Sequence, residues 1–419
     1  MNKKKSYNIA IVGLGNIGSY LFKYLNENRY YLINKNNVNF KISHVSARNK
    51  KKNRGIKIKS RQWAKNFNEI VKNENVDIIV ELIGGSEGPA KKLVFAALKN
   101  KKHVVTANKA LISKYGDQLA KIAENNKVNL EFEAAVCGGV PIIRSIKEGL
   151  IANKISRIYG IFNGTSNYVL SSMDNNQTSF NDTIKKAIKL GYAESNPSSD
   201  INGDDVASKV KILSCLSFNS YINKDIHVEG IKNIDEEDII NANKLGYKIK
   251  LMGFSEISNN KIFQRVHPTL VKNTSYIASV DGVLNAVVID GKPIGINTIQ
   301  GDGAGPSATT SALVSDISSI LRGNIKYPFA ISSNKRKNYP SGKITDLFFS
   351  SYIRLNVKDK YGVLSDVTKI FSNNKVSIKR VLQSPYKNKK NSSIVIITHR
   401  SKDNNIQKTL KTLAKKSYI

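Results

Sequence analysis

Near the amino terminus, Tyr7-Asn-Ile-Ala-Ile-Val-Gly13-Leu-Gly15-Asn-Ile-Gly18 sets a short apolar run directly against a G-x-G-x-x-G turn. The run predicts a buried strand, and residues 19–28 read as the helix that follows. Glycines at that spacing let the backbone reverse sharply and approach a pyrophosphate, which the exposed N–H groups and dipole of the helix then hold. The same glycines also suit a plain strand–helix turn, but their place between strand and helix favours a dinucleotide. Gly13, Leu14, Gly15, Asn16, Ile17 and Gly18 would cradle it. A turn of this kind calls for a parallel sheet with helices on both faces.

The next hundred residues alternate accordingly. Strands are expected at 40–46, at 76–83 (V-D-I-I-V-E-L-I), at 103–106 and at 129–135, with a helix over 89–98 after Gly84-Gly85-Ser86. This is the pattern of an α/β, doubly wound Rossmann domain. The second strand runs into Ala47-Arg48-Asn49-Lys50-Lys51-Lys52. NAD-specific proteins place an acid here for the ribose 2′-hydroxyl, whereas Arg48 and three lysines favour a 2′-phosphate. The expected cofactor is therefore NADP(H), with NAD(H) the alternative. The 103–106 strand ends in Thr106-Ala-Asn-Lys109, at the edge where open parallel sheets bind ligands. Lys109 is therefore better placed for chemistry than the many other lysines, and Thr106 is expected among the cofactor-binding residues.

Beyond Pro141 the pattern changes to a mixed α+β segment. A helix at 141–150 and a strand at 157–162 lead to the polar turn 163–168, which opens another helix; a further helix covers 183–190. The stretch 191–209 then gathers Glu194, Asp200, Asp204, Asp205 and Lys209. Asn202-Gly203 reads as a turn and Asp204 as the N-cap of a helix burying Val206, Val210 and Leu213. Asp205 and Lys209, four apart, lie one turn above each other. Alone they read as an ordinary surface ion pair. After Glu194 and Asp200 in a loop rich in Gly and Pro, they offer carboxylates for an ammonium group and a cation for developing negative charge.

Strands of a mixed sheet are expected at 266–270, 283–289 and 293–300. Gly301-Asp-Gly-Ala-Gly305-Pro then starts a helix over 308–322, a second glycine turn that returns the chain to the cofactor. The organisation is a nucleotide-binding domain at 1–140 completed by the helix around 305–323. A substrate-binding and dimerisation domain at 141–304 follows, then a linker at 324–349 and a small module at 350–419. The last reads β-α-β-β-α, a ferredoxin-like unit without an obvious final strand.

Composition narrows the function classes. The formal charge of +34 raises nucleic-acid binding, but 54 lysines against 12 arginines are dispersed along the chain rather than set with aromatics on one face. No nucleic-acid partner is expected. Lys3–Lys5 ahead of an apolar run superficially resemble a signal peptide, yet the run is short, holds the glycine turn and lacks a cleavage site. No membrane span is expected. Cys137 and Cys215 form no disulfide framework and lack metal spacing, which fits a reducing, cytoplasmic setting.

G-L-G-N-I-G, V-E-L-I-G-G, V-V-T-A-N-K, F-E-A-A-V-C-G-G-V-P-I-I, G-I-F-N-G-T-S-N-Y, G-Y-A-E and D-x-N-G-x-D-x-x-x-K follow one another along nearly the whole chain. In that order they resemble homoserine dehydrogenases of the monofunctional bacterial type with a C-terminal ACT domain; no aspartate-kinase portion is expected ahead of it. The resemblance implies NAD(P)H-dependent, reversible reduction of L-aspartate 4-semialdehyde to L-homoserine, on the route to threonine and methionine. It implies Lys209 as proton donor, Lys109 near nicotinamide and substrate, Glu194 on the substrate amino group, and Asp200 and Asp205 lining the pocket. Gly305 would touch the cofactor. Glu133, Val136, Gly138 and Val140 match a loop that holds sodium in a structural role. The resemblance further implies a homodimer or homotetramer and threonine as effector at the ACT domain, where Asp359-Lys-Tyr-Gly362-Val-Leu matches. Asn196 and Ser199 stand where relatives often carry acids, and Cys137 replaces a more usual small residue. A proton-donating lysine would work near neutral pH if burial and a second cation lowered its pKa. The alternatives are another ACT-bearing Rossmann oxidoreductase, for which the five histidines show no paired acid, or a catalytically dead amino-acid sensor.

Overall fold

The computed structural model describes residues 6–223, 225–385 and 391–419. The Lys3–Lys5 run lies outside them. The first sheet holds β1 (Ser6–Val12), β2 (Asn39–Ser46), β3 (Ile78–Glu81), β4 (His103–Thr106) and β5 (Leu130–Glu131), all parallel, in the order β2-β1-β3-β4-β5. The chain reverses direction along the sheet at β1/β3, the point at which such sheets open a crevice for ligands.

The expected strand at 129–135 is only two residues long. After β5 the chain tightens into a 3-10 turn at Glu133–Ala135, because the Glu133 side chain and N–H are both drawn into buried bonds: its carboxylate accepts from Ile143 N and Arg144 N, and its N–H donates to Asp316. The helix expected at 141–150 is split into Ile142–Arg144 and a wider-wound turn, Ser145–Gly149.

The second sheet comprises β6 (Lys154–Ile161), β7 (His227–Val228), β8 (Tyr247–Ser258), β9 (Lys261–Lys272), β10 (Leu284–Lys292) and β11 (Gly295–Asp302), ordered β11-β10-β6-β8-β9-β7. The helix Asp204–Phe218 lies against it and buries nearly its whole length: Val206, Val210, Ile212, Leu213 and Leu216 join one apolar cluster with Phe162, Ile249 and Leu251. The surface ion-pair reading of Asp205 and Lys209 is therefore corrected; both side chains are inside. Asp204 is not the N-cap either. A single helical turn, Ser198–Asn202, precedes it, and Gly203 (φ +88°) closes that turn and opens the long helix. A side chain there would be strained by the left-handed backbone and would press on Val228 and Val266.

The helix Pro306–Leu321 packs back on the first sheet, with Leu313, Ile317 and Ile320 in the same core cluster as Ile9, Ile11, Leu21 and Phe22. Past it, β12 (Phe348–Phe349) pairs with β16 (Ser401–Lys402), while β13 (Tyr352–Lys358), β14 (Ile378–Pro385) and β15 (Asn391–Thr398) form an antiparallel sheet ordered β13-β15-β14. Helices Val363–Asn373 and Asp403–Leu413 cover it. Among the described residues no strand follows the last helix. The chain end instead lies along β13, where Lys358 N donates to Tyr418 O. No described helix is long and apolar enough to cross a membrane.

Candidate functional site

β1 delivers its glycines to the carboxyl edge of the first sheet. Gly13 has φ +107°, and a Cβ there would fall 2.4 Å from the Leu82 carbonyl; one on Gly18 would fall 2.0 Å from Gly13 O. Those two glycines serve close packing of strand, turn and helix. Gly15 faces open space, and the helix Asn16–Glu27 behind it carries no side-chain cap. Its first N–H groups and positive dipole end are thus free to hold a pyrophosphate, so this turn fits a dinucleotide.

The loop after β2 is tied to this turn by a residue the sequence reading did not single out. Arg54 donates to Leu14 O at 3.0 Å and to Lys52 O at 2.7 Å, and its guanidinium stacks over Trp63. Arg48 stands exposed on the loop so anchored.

At the ends of β3 and β4 a second unsignalled residue, Glu81, organises the edge. Fully buried, it accepts from Ile83 N (2.7 Å), Gly84 N (2.9 Å) and the Thr106 hydroxyl (2.6 Å). Thr106 Oγ1 accepts from Asn108 N, and Asn108 caps the next helix by accepting from Leu111 N while donating to Gly85 O. Lys109 is the first residue of that helix. β3 separates β1 from β4, so the Gly13 turn and the Lys109 segment lie about 10 Å apart along one edge.

Lys109 reaches across to the second domain. Its Nζ is 2.9 Å from Asp205 Oδ1, and Lys209 Nζ is 2.7 Å from Asp205 Oδ2. Lys209 also donates to Phe162 O at 2.5 Å. Asn163 donates to Asp205 Oδ2 (2.8 Å) and to Asp200 Oδ1 (2.7 Å). The structure thus brings Lys109, Asp200, Asp205 and Lys209 together, and adds Asn163. Asp205 is all but enclosed. Burial pushes its pKa up, but the two lysines and Asn163 outweigh this and hold its carboxyl below the usual range. Lys209 behaves oppositely to the sequence expectation. Burial draws its pKa down, yet Asp205 beside it more than compensates and leaves it raised. Asp200 is pushed up by burial and by the charge on Asp205.

Glu194 lies exposed in the turn after the helix Phe180–Lys189. The turn is anchored next to the cluster: the Thr165 hydroxyl donates to Tyr192 O, and the Tyr168 and Tyr192 rings meet at 4.9 Å. Asn196, one of the departures noted above, accepts from Ser198 N and so shapes this loop.

Gly305 (φ +99°) starts the helix Pro306–Leu321. The loop before it meets the 136–140 loop closely, since Gly139 N donates to Asp302 O and a Cβ on Gly138 would lie 2.6 Å from Gly303 O. Cys137 sits beneath this contact, with burial pushing its thiol up to about 11. It is an inert small hydrophobe here. A separate cavity of about 740 Å³ along the helix Asn16–Glu27 and β2 contains none of these groups.

A glycine turn at the switch point of a parallel sheet, with Lys109 on the same edge bridging to a buried carboxylate and lysine of a second domain, defines a nicotinamide-dinucleotide-dependent oxidoreductase. Residues 13–133 match the family described as homoserine dehydrogenase, NAD binding domain, residues 141–318 match homoserine dehydrogenase, and 351–417 match the ACT domain. The chain belongs to the homoserine dehydrogenase family. It is 38% identical over 414 residues to the homoserine dehydrogenase of Helicobacter pylori, covering 98% of this chain and 96% of that one. The crystal structure of a homoserine dehydrogenase from Thiobacillus denitrificans superposes with a TM-score of 0.92 at 34% identity, over 100% of this chain and 97% of that one. A hyperthermophilic archaeal homoserine dehydrogenase in complex with NADPH aligns at TM-score 0.64 and 26% identity, over 80% and 99%.

Proposed function

We propose that this homoserine dehydrogenase interconverts L-aspartate 4-semialdehyde and L-homoserine at the Lys109–Asp205–Lys209 cluster. The single observation that carries the reading is the sharing of one buried carboxylate by two lysines from different domains. The Gly13–Gly18 turn would hold the pyrophosphate of a nicotinamide dinucleotide, which would supply hydride to the aldehyde carbon or take it back from the alcohol. Lys209 meets the oxygen as it gains negative charge and gives it a proton; in the reverse direction it takes the hydroxyl proton. With its pKa held up, Lys209 enters the reduction fully charged, and a substrate that draws the Asp205 carboxylate away would make it a stronger acid. Lys109 brings the second positive charge from the cofactor side. Glu194 would bind the substrate ammonium, and Asp200 would line the pocket.

Arg48, on a loop held to the glycine turn, supports NADP(H) over NAD(H), in line with the NADPH of the archaeal relative. Thr106 ends β4 and Gly305 precedes the helix Pro306–Leu321, the two segments that would flank the cofactor; the Thr106 hydroxyl is already bonded to Glu81, so its part would be to shape the edge. Sodium would rest on the carbonyls of Val136, Gly138 and Val140 with Glu133. Both Glu133 oxygens already accept backbone N–H groups, but each keeps a lone pair, and this hard-oxygen set fits a monovalent ion in a structural role.

The nucleotide-binding domain is read as 1–140 with the helix near 305–323, the catalytic domain as 141–304, the linker as 324–349 and the ACT domain as 350–419. β11 leaves an edge with Ile296 exposed, which supports a homodimer or homotetramer through this sheet. Threonine would act at the Asp359–Gly362 turn, beside a cavity of about 370 Å³ lined by Lys360, Tyr361, Gly362, Asp366 and Tyr418. The setting is read as cytoplasmic. The test is nicotinamide absorbance with homoserine and each cofactor, with and without threonine. No turnover with either cofactor would sink the reading.

A further inference from the structure

Asp200 and Asp205 sit on consecutive helices joined by the left-handed Gly203, and the kink turns both carboxylates toward one side chain, Asn163. Asn163 is 5% exposed and is the N-cap of the helix Gly164–Asn176, its Oδ1 accepting from Ser166 N at 2.7 Å. Because the oxygen is taken by the helix, the amide orientation is determined: both N–H bonds face the acids, one at 2.7 Å from Asp200 Oδ1 and one at 2.8 Å from Asp205 Oδ2. The preceding residue completes the grip, since Phe162 O accepts from the Lys209 ammonium. Two adjacent residues therefore hold both members of the ion pair, one by a carbonyl and one by a side chain.

We propose that Asn163 is a positioning residue of this enzyme: it spaces two mutually repelling carboxylates and fixes Asp205 in the orientation that aims Lys209. This rests on the reading of Lys209 as proton donor. An amide suits the task better than its neighbours in chemistry. Aspartate would add a third negative charge, serine or threonine would keep the cap but lose one or both donors, and alanine would lose everything. The charged groups around it are Lys109 from the helix Lys109–Asn125, Asp200 from Ser198–Asn202, and Asp205 and Lys209 from Asp204–Phe218. The Cys137 thiol adjoins Lys209.

The test uses the full-length enzyme with Asn163→Ser and the isosteric Asn163→Asp. Asn163→Ser keeps a capping oxygen but withdraws a donor from a buried carboxylate, so it should fold with a melting curve shifted below that of the parent while kcat/KM falls at least about tenfold. The acid limb of its pH profile should move up, because Asp200 loses the donor that favours its charged form. Asn163→Asp should lose activity at neutral pH and regain part of it on acidification, when a protonated carboxyl can again donate. Should the serine variant not fold, the aspartate variant alone decides. A parent-like kcat/KM and pH profile in either folded variant would overturn the proposal. Near-normal turnover in Lys209→Ala would overturn this inference together with the proton-donor reading. Loss of turnover there beside a parent-like Asn163→Asp would overturn the inference alone.

Discussion

Asp205 Oδ2 lies 2.7 Å from Nζ of Lys209, one helical turn away, and the two side chains are only 5% and 9% exposed. A proton donor must be charged to work, so reduction should fade as pH rises through the pKa of Lys209. Asp205→Asn removes the carboxylate that holds this pKa up, and the alkaline limb should therefore move to lower pH. Lys209→Ala should cut kcat by at least about 10²-fold with cofactor affinity little changed. A limb that stays in place in Asp205→Asn, measured over the full pH profile, would contradict the pairing.

Glu194 stands on a turn held beside the cluster by Thr165. Glu194→Ala should mainly raise KM for the semialdehyde, by about tenfold or more for a lost charge-assisted contact, with kcat less affected. An unchanged KM would remove its role.

On the cofactor side, Arg48→Ala should weaken NADPH more than NADH, whereas Arg54→Ala should weaken both by loosening the loop from Leu14 O. Titration of each variant with both cofactors separates the two effects. Equal losses in Arg48→Ala would speak against a 2′-phosphate contact.

Arg354 of β13 joins the carboxyl-terminal module to the start of the helix Glu236–Lys244, through Asp235 at 2.6 Å, Glu237 at 3.1 Å and Asp238 at 2.7 Å. Tyr352 adds a bond to Asp238. Arg354→Ala would leave a nearly buried Asp238 carboxylate without its cation, keeping only the Tyr352 hydroxyl and Asp235 N as donors, and should cost about 3 kcal/mol. Calorimetry should then show the carboxyl-terminal module melting apart from the rest, with basal kcat retained. A single unshifted transition would argue against the contact.

Burial pushes the thiols of Cys137 and Cys215 up from 9.0, to about 11 and about 12. Above pH 9 the unfolded chain releases these protons and the folded one keeps them. Stability is thus complete below that point and drains away through pH 11 to 12, by about 1.4 kcal/mol per pH unit per group. Denaturant melts of Cys215→Ala should show a shallower alkaline decline than the parent; an identical slope would refute the assignment.

Much of this site was legible in the sequence because its parts are local. The glycine turn announces itself by strand and helix on either side, and Asp205 and Lys209 by a spacing of four. What was hidden is long-range. Asn163 reads as an ordinary helix cap until its partners, 37 and 42 residues away, are known to converge on it. Glu81 reads as one acid in an apolar strand until Thr106 appears opposite. β8 went unnamed because Lys248 and Lys250 broke its apolar pattern. Lys250 is in fact buried, its ammonium bonded to Asn167, Ser171, Val280 and Asp281. The sign of the Lys209 shift was likewise beyond reach, because it depends on how deeply Asp205 is enclosed beside it.

The helix Pro306–Leu321 closes the core that begins with Ile9 and Ile11. A ribosome makes those two ends some three hundred residues apart. The sheet that receives the dinucleotide must therefore wait, its apolar flank uncovered, while the whole of the second sheet is synthesised. Ending translation anywhere before Leu321 would release a chain whose first domain is sticky rather than merely truncated. Each finished molecule thus closes the core behind its glycine turn only after the segment carrying Asp205 and Lys209 has been made.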